Sequence, residues 1–197
     1  MIRINQVLVS LLIFSCSPDK SQERPKEKVL INSVYNIDEE SNIKAQETVI
    51  ENRPLIDTFT FVGDSVILPA FEISLSLSKK TEEKLKGSNE SIIISAEFSG
   101  KPIDTTTEEY QEWGEIHIGS HKIELFNSRI ARFDNAKISK SSYELLKDKN
   151  FQVLINVFSG RRSSRDNLLN CDGLQEGIET VKGKRHHLKG KLIYGDE

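Results

Sequence analysis

The stretch Phe71–Ser78, FEISLSLS, decides the fold. Phe71, Ile73, Leu75 and Leu77 alternate with Glu72, Ser74, Ser76 and Ser78. Successive side chains of a strand point to opposite faces, so this period of two describes a strand with one face buried and one in water. The pattern recurs in SIIISAEF, which turns Ile92, Ile94, Ala96 and Phe98 inward, and in FQVLINVF, with Phe151, Val153, Ile155 and Val157 on one face. In the last of these Leu154 and Phe158 make the second face apolar too, which suits a central strand.

Two short helical patterns interrupt the strands. SKKTEEKLKG offers Ser78 as N-cap, Glu82 and Glu83 early, Lys84 and Lys86 late, and Gly87 as a stop. That polarity is the one the helix dipole favours. SSYELLKDKN sets Ser141 and Glu144 at capping-box spacing, with Asn150 placed as a left-handed terminator. Both segments are too polar for core helices and are expected to lie over the ends of the strands. The expected fold is mainly β, a single antiparallel β-sandwich over residues 54–197 with two short connecting helices. Two strands in this reading end in the same way, EFSGK at Glu97–Lys101 and VFSGR at Val157–Arg161. Four similar residues read as ordinary Ser-Gly turns rather than as an internal repeat.

Residues upstream of the strands differ in kind. MIRINQVLVSLLIFSC carries Arg3, then a weakly polar to apolar run from Val7 to Phe14. That run is far short of the roughly 20 apolar residues a spanning helix needs, and so reads as a secretory signal peptide over residues 1–15. Ile13, Ser15 and Cys16 together resemble the lipobox of bacterial lipoproteins. The resemblance covers the first sixteen residues only. It implies removal of the peptide before Cys16, a diacylglycerol on the Cys16 sulfur, and a further acyl chain, palmitate or similar, on the freed amine. Two or more chains make a stable anchor, since each buried methylene contributes about 0.8 kcal/mol. With Ser17 rather than Asp after the cysteine, the resemblance to bacterial lipoproteins also implies the outer membrane, facing the periplasm or the cell surface. A competing reading makes VLVSLLIF a buried first strand.

Residues 16–53 are rich in Asp, Glu, Lys, Gln, Asn and Ser, punctuated by Pro18 and Pro25. Such composition buries too little apolar surface to offset ordering entropy and reads as a flexible tether. VLINSVYNI, Val29–Ile37, is the exception, an edge strand or a partner-binding strip. The net charge of -3 argues against a dedicated nucleic-acid binder. There are two cysteines. If Cys16 is acylated, Cys171, following two leucines, is a buried unpaired thiol; the alternative is a Cys16–Cys171 disulfide.

Candidate chemistry is sparse. In HIGSH, His117 and His121 stand four apart, a spacing that makes a zinc pair on a helix. Here Ile116 and Ile118 alternate before Gly119-Ser120, and Ile123 and Leu125 after it, so a two-residue hairpin turn is expected, with the histidines on opposite faces. His186 and His187 are adjacent on an expected strand and likewise diverge. The segment KPIDTTTEEYQEWGE gathers Asp104, Glu108, Glu109, Glu112 and Glu115 around Tyr110 and Trp113, the only tryptophan. An exposed tryptophan is a natural partner anchor. SGRRSSRDN supplies Arg161, Arg162 and Arg165, able to meet phosphate or an acidic partner; KGKRHHLKGK adds further cations. No nucleophile elbow, phosphate loop or dinucleotide fingerprint occurs, and neither a metal nor a cofactor is expected.

The expected function is therefore non-catalytic: a lipid-anchored cell-envelope binding or scaffolding module. It would meet a protein or glycan partner through Tyr110, Trp113, Arg161, Arg162 and Arg165, as an accessory of an envelope or secretion assembly. The rival is an envelope hydrolase or carbohydrate-binding protein using the acidic Trp113 loop.

Overall fold

A computed structural model describes residues 54–195. The signal peptide, the Cys16 anchor, the tether and the Val29–Ile37 strip lie outside the described residues. In chain order the elements are β1 (Thr60–Val62), β2 (Ser65–Ile67), β3 (Phe71–Leu77), α1 (Lys79–Gly87), β4 (Ile92–Gly100), α2 (Glu108–Trp113), β5 (Ile116–Leu125) and β6 (Ile130–Phe133). They continue as β7 (Lys137–Ser139), α3 (Lys140–Leu145), β8 (Gln152–Ser159), β9 (Leu169–Cys171), β10 (Leu174–Gly177), α4 (Ile178–Val181) and β11 (Arg185–Leu192).

The fold is mainly β and packs as a sandwich. One four-stranded sheet runs β10-β8-β4-β5, a second runs β6-β3-β11-β9, and a three-stranded sheet, β1-β2-β7, accompanies them. The alternating residues meet between the sheets: Phe71, Ile73 and Leu75 of β3, Ile92, Ile94, Ala96 and Phe98 of β4, and Val153, Ile155 and Val157 of β8 are all buried in one core. Phe71 stacks on Phe133 at 4.7 Å, and Phe98 meets Phe151 edge-on at 6.0 Å, geometries that add to area burial. β8 is an inner strand of its sheet, as its two apolar faces suggest.

Several local expectations are corrected. β11 pairs with β3 in parallel, Arg185 opposite Glu72 and Gly190 opposite Leu77, so the second sheet is mixed. A period of two fixes which face is buried and says nothing of the partner's direction. Four short helices occur among the described residues rather than two. Gly119-Ser120 is no hairpin turn: β5 runs unbroken beside β4, and its register shifts opposite Phe98 and Ser99. A bulge and a two-residue turn break the phase of alternation alike. Gly119 is required there, since its φ is 151° and a Cβ would lie 2.9 Å from Ile138 Cγ2.

Helix ends fall as expected in α1 and earlier than expected in α3, whose C-cap is Leu146 rather than Asn150. Ser78 caps α1 as expected, accepting the Thr81 N–H, and Gly87 is its last helical residue, with Ser88 at the C-cap. α3 is capped by Ser139, which accepts the Ser142 N–H at 2.9 Å, because β7 feeds straight into the helix and leaves Ser141 inside it. Asn150 is not left-handed; its side chain instead accepts the Glu179 N–H at 3.1 Å, serving the first turn of α4.

Antiparallel pairing separates the two Phe-Ser-Gly motifs. Ile92 of β4 lies opposite Leu125 of β5 and Ser159 of β8, while Ser99 lies opposite His117 and Gln152. Gly160 and Gly100 therefore sit at opposite ends of the sheet, roughly 25–30 Å apart at about 3.3 Å per strand residue.

Candidate functional site

The tryptophan end is built from the segment between β4 and β5. Its start is pinned by backbone bonds to the α3 exit: Ile103 N–H donates to Leu145 C=O at 2.8 Å, and Lys147 N–H to Lys101 C=O at 2.9 Å. Asp104 then closes a turn, accepting the Thr106 hydroxyl at 2.7 Å and its N–H at 2.9 Å. Those two donors, the hydroxyl foremost, hold the Asp104 carboxyl below its ordinary pKa. Glu109 of α2 accepts the His117 N–H at 2.7 Å and ties the helix to β5. Gly114, with φ of 74°, ends α2 in the left-handed cap that favours glycine.

This short helix holds its two aromatic residues differently. Tyr110 is half-buried and packs on the core, whereas Trp113 is 71% exposed. Ile103 at 67% and Leu145 at 55% are exposed beside one another, joined by their backbone bond. Phe61, also exposed, meets Tyr143 of α3 edge-on at 5.6 Å. Between Asp104 and Glu115 there are five carboxylates and no lysine or arginine. The end is thus apolar and acidic at once.

The arginine end is organised by a residue the sequence did not mark. Glu90, only 3% exposed, accepts Ser91 N–H and Arg162 N–H on Oε1, and Ser163 N–H and hydroxyl on Oε2. Burial alone would raise its pKa; the bonds from Ser163, Arg162 and Ser91 outweigh it and hold the carboxyl below 4.5. Arg161 takes a φ of 58°, and the two N–H groups after it converge on the carboxylate.

Arg162 is not free to meet a ligand. Its guanidinium forks onto Glu124 at 2.7 and 3.0 Å and lies 4.8 Å over the Phe126 ring. The Arg162 fork and the Ser91 hydroxyl push the Glu124 carboxyl down to about 2. Ser159 and Asn167 close the base of the loop, with Leu168 N–H donating to Ser159 Oγ at 3.0 Å. Arg161 and Arg165 are exposed. Beside this loop a groove of about 370 Å³ lies between α1 and residues 126–129, crossed by the Arg129 fork on Glu82 at 2.8 and 2.6 Å.

The partner residues expected from the sequence thus fall into two groups, Tyr110 and Trp113 at one end, Arg161, Arg162 and Arg165 at the other. The later basic run divides as well. Arg185, at the start of β11, pairs with Glu72 at 2.7 Å, and Lys182 with Glu179 at 2.7 Å, while Lys191 sits opposite Asn170 toward the arginine end.

A second buried carboxylate is Glu72, which the alternation of Phe71–Ser78 put on the face in water and which the structure buries instead. It is 3% exposed and held between Arg132 and Arg185 at 2.7 Å each. Arg132 also donates to Pro54 C=O at 2.9 Å, and Ala70 N–H to Ile56 C=O at 2.6 Å, so residues 54–56 are tied beside the start of β3. Register alone could reveal this, since both arginines are direct cross-strand partners of Glu72.

His117 is exposed and His121 half-buried, edge-on to Phe133 at 5.8 Å, so the two diverge as expected, through the bulge and not through a turn. His186 is half-buried, donating to Val181 C=O at 3.1 Å, and His187 is exposed. Among the described residues no three His, Cys, Asp or Glu side chains gather as metal ligands. Cys171 is half-buried rather than fully buried, and burial with Asp172 beside it pushes its thiol up to about 11, which keeps it protonated and unreactive near neutral pH. No protein-family model, curated protein or solved structure matches the chain.

Proposed function

We propose that this protein is a non-catalytic binding or scaffolding module of the cell envelope. In this reading a lipid on Cys16 holds it to the outer membrane, and its tryptophan end meets another envelope component. The observation that carries the reading is Trp113, 71% exposed on a helix that the chain has fixed in place through Glu109, Tyr110 and Gly114. Exposing a tryptophan on a pinned element keeps its apolar area available at little ordering cost. The rival enzymatic reading is less well supported, because Asp104 and Glu109 are each occupied by a local bond, to Thr106 and to the His117 N–H.

The test is a pull-down from native membranes with wild type, Cys16→Ala and Trp113→Ala. A partner retained by wild type and lost with Trp113→Ala is the expected result. Cys16→Ala should release the chain from the membrane fraction with a mass lacking acyl chains. A Trp113→Ala chain that captures the same partners overturns the contact surface, and a Cys16→Ala chain that stays in the membrane overturns the anchor.

A further inference from the structure

We infer that the tryptophan end of one copy receives the arginine end of a second copy, so that the sandwiches join head to tail. The inference rests on the reading of the tryptophan end as a contact surface and names its occupant.

Charge complementarity carries it. The acidic segment Asp104–Glu115 holds five carboxylates without a basic residue. At the opposite end Arg161, Arg165, Lys80, Lys84 and Lys86 are exposed; Glu90 is held by its own loop, Glu124 by Arg162 and Glu82 by Arg129, which leaves Glu83 and Asp166 as exposed carboxylates against those five cations. A surplus of exposed cations at one end thus answers a surplus of carboxylates at the other. Each end also exposes large apolar side chains. Trp113, Ile103 and Leu145 stand at the acidic end, and Phe126, Ile193 and Tyr194 at the basic end, where Ile193 N–H is bonded to Leu168 C=O. Exposed apolar groups rimmed by charge are the usual composition of a contact surface.

The same charges select the symmetry. Joining two tryptophan ends would set like carboxylates against each other, and joining two arginine ends would do so with cations, both unfavourable. Only the unlike pairing brings opposite signs together. The overall charge of -3 is small enough not to hold two copies apart. A heterologous contact leaves one end of each kind free, so assembly continues into a ring or a chain rather than stopping at two.

The test is sedimentation velocity of the full-length chain in detergent, over a range of concentrations at low and high salt. Two charge-reversed chains accompany wild type: Arg161→Glu with Arg165→Glu, and Glu108→Lys with Glu112→Lys. Wild type should grow in mass with concentration, less so in high salt. Each reversed chain alone should remain monomeric, and an equal mixture of the two should recover association, since every reversed end then finds its complement. Trp113→Ala, which reverses no charge, should weaken association at least tenfold. A wild type that is monomeric throughout, reversed chains that associate as well as wild type, or a mixture that does not recover overturns the head-to-tail contact. If the chain is monomeric yet Trp113→Ala still loses a partner from native membranes, the contact surface stands with a different occupant; if neither effect appears, both readings fail.

Discussion

The chain writes Phe-Ser-Gly-base twice, at Phe98–Lys101 and at Phe158–Arg161, and folds the two downstream segments differently. After Gly160 the loop wraps around a buried carboxylate, and its Arg162 is paired with Glu124 at the same end of the molecule. After Gly100 the chain is pinned by backbone bonds and by Leu146, whose Cδ2 would lie 2.8 Å from a Cβ at Gly100. It then sends a helix outward with its tryptophan in solvent. The motif itself only ends a strand. The group standing opposite, Glu90 in one case and the α3 exit in the other, determines whether the loop is turned inward or presented outward.

The contrast can be broken at its supports. Leu146 is 1% exposed, so Leu146→Ala removes packing and leaves a cavity, for an expected loss of about 3 kcal/mol in urea unfolding. A loss under about 1 kcal/mol would mean that backbone bonds alone hold the tryptophan end. Glu90→Ala strands three N–H groups and the Ser163 hydroxyl, and should cost about 2 kcal/mol. Its signature is faster amide exchange across residues 160–168 with residues 101–115 unchanged; equal change at both ends would dissolve the distinction.

Acid offers a gentler handle on the same difference. Glu90 is held below 4.5 and Glu124 at about 2 in the folded protein. Depressed carboxyls contribute in full above their unfolded value, and the contribution is lost as pH falls through the folded one. Between pH 4.5 and about 2 the arginine loop should therefore lose exchange protection before the tryptophan end does. Simultaneous loss would show that the carboxylates do not hold the loop. The smallest expected effect is on folding by Trp113→Ala. So exposed a side chain should change stability by no more than about 0.5 kcal/mol, and a larger loss would identify Trp113 as a packed lid.

The core-facing sides of β3, β4 and β8 were legible because alternation is local: the alternating apolar residues line the core, although polar Glu72, Ser95 and Ser159 are buried as well. Strand direction was not, since the parallel neighbour of β3 is more than a hundred residues away. The bulge in β5 was legible as a break in phase, though not as a bulge. At the candidate site the sequence singled out Trp113 and the arginines by type. It held no sign that Arg162 is gripped by Glu124, because that pair depends on β5 and the β8 loop meeting at one end of a sheet. Glu90 carried no local mark, and the local mark on Glu72, alternation, pointed it to water. Each owes its role to partners that only the register brings near.

The parallel strand β11 has a consequence for how the molecule is made. It lies between β3 and β9, bonded to a partner 113 positions earlier in the chain. Until β11 is present, β3 has one bare edge and β9 has no sheet to join, and a row of unpaired N–H and C=O groups is a template for stray pairing. Contacts so distant in sequence also slow folding. A nascent chain halted before Arg185 would hold every strand of the β10-β8-β4-β5 sheet while the opposite one is still open, so this is the interval in which a holding chaperone would matter most.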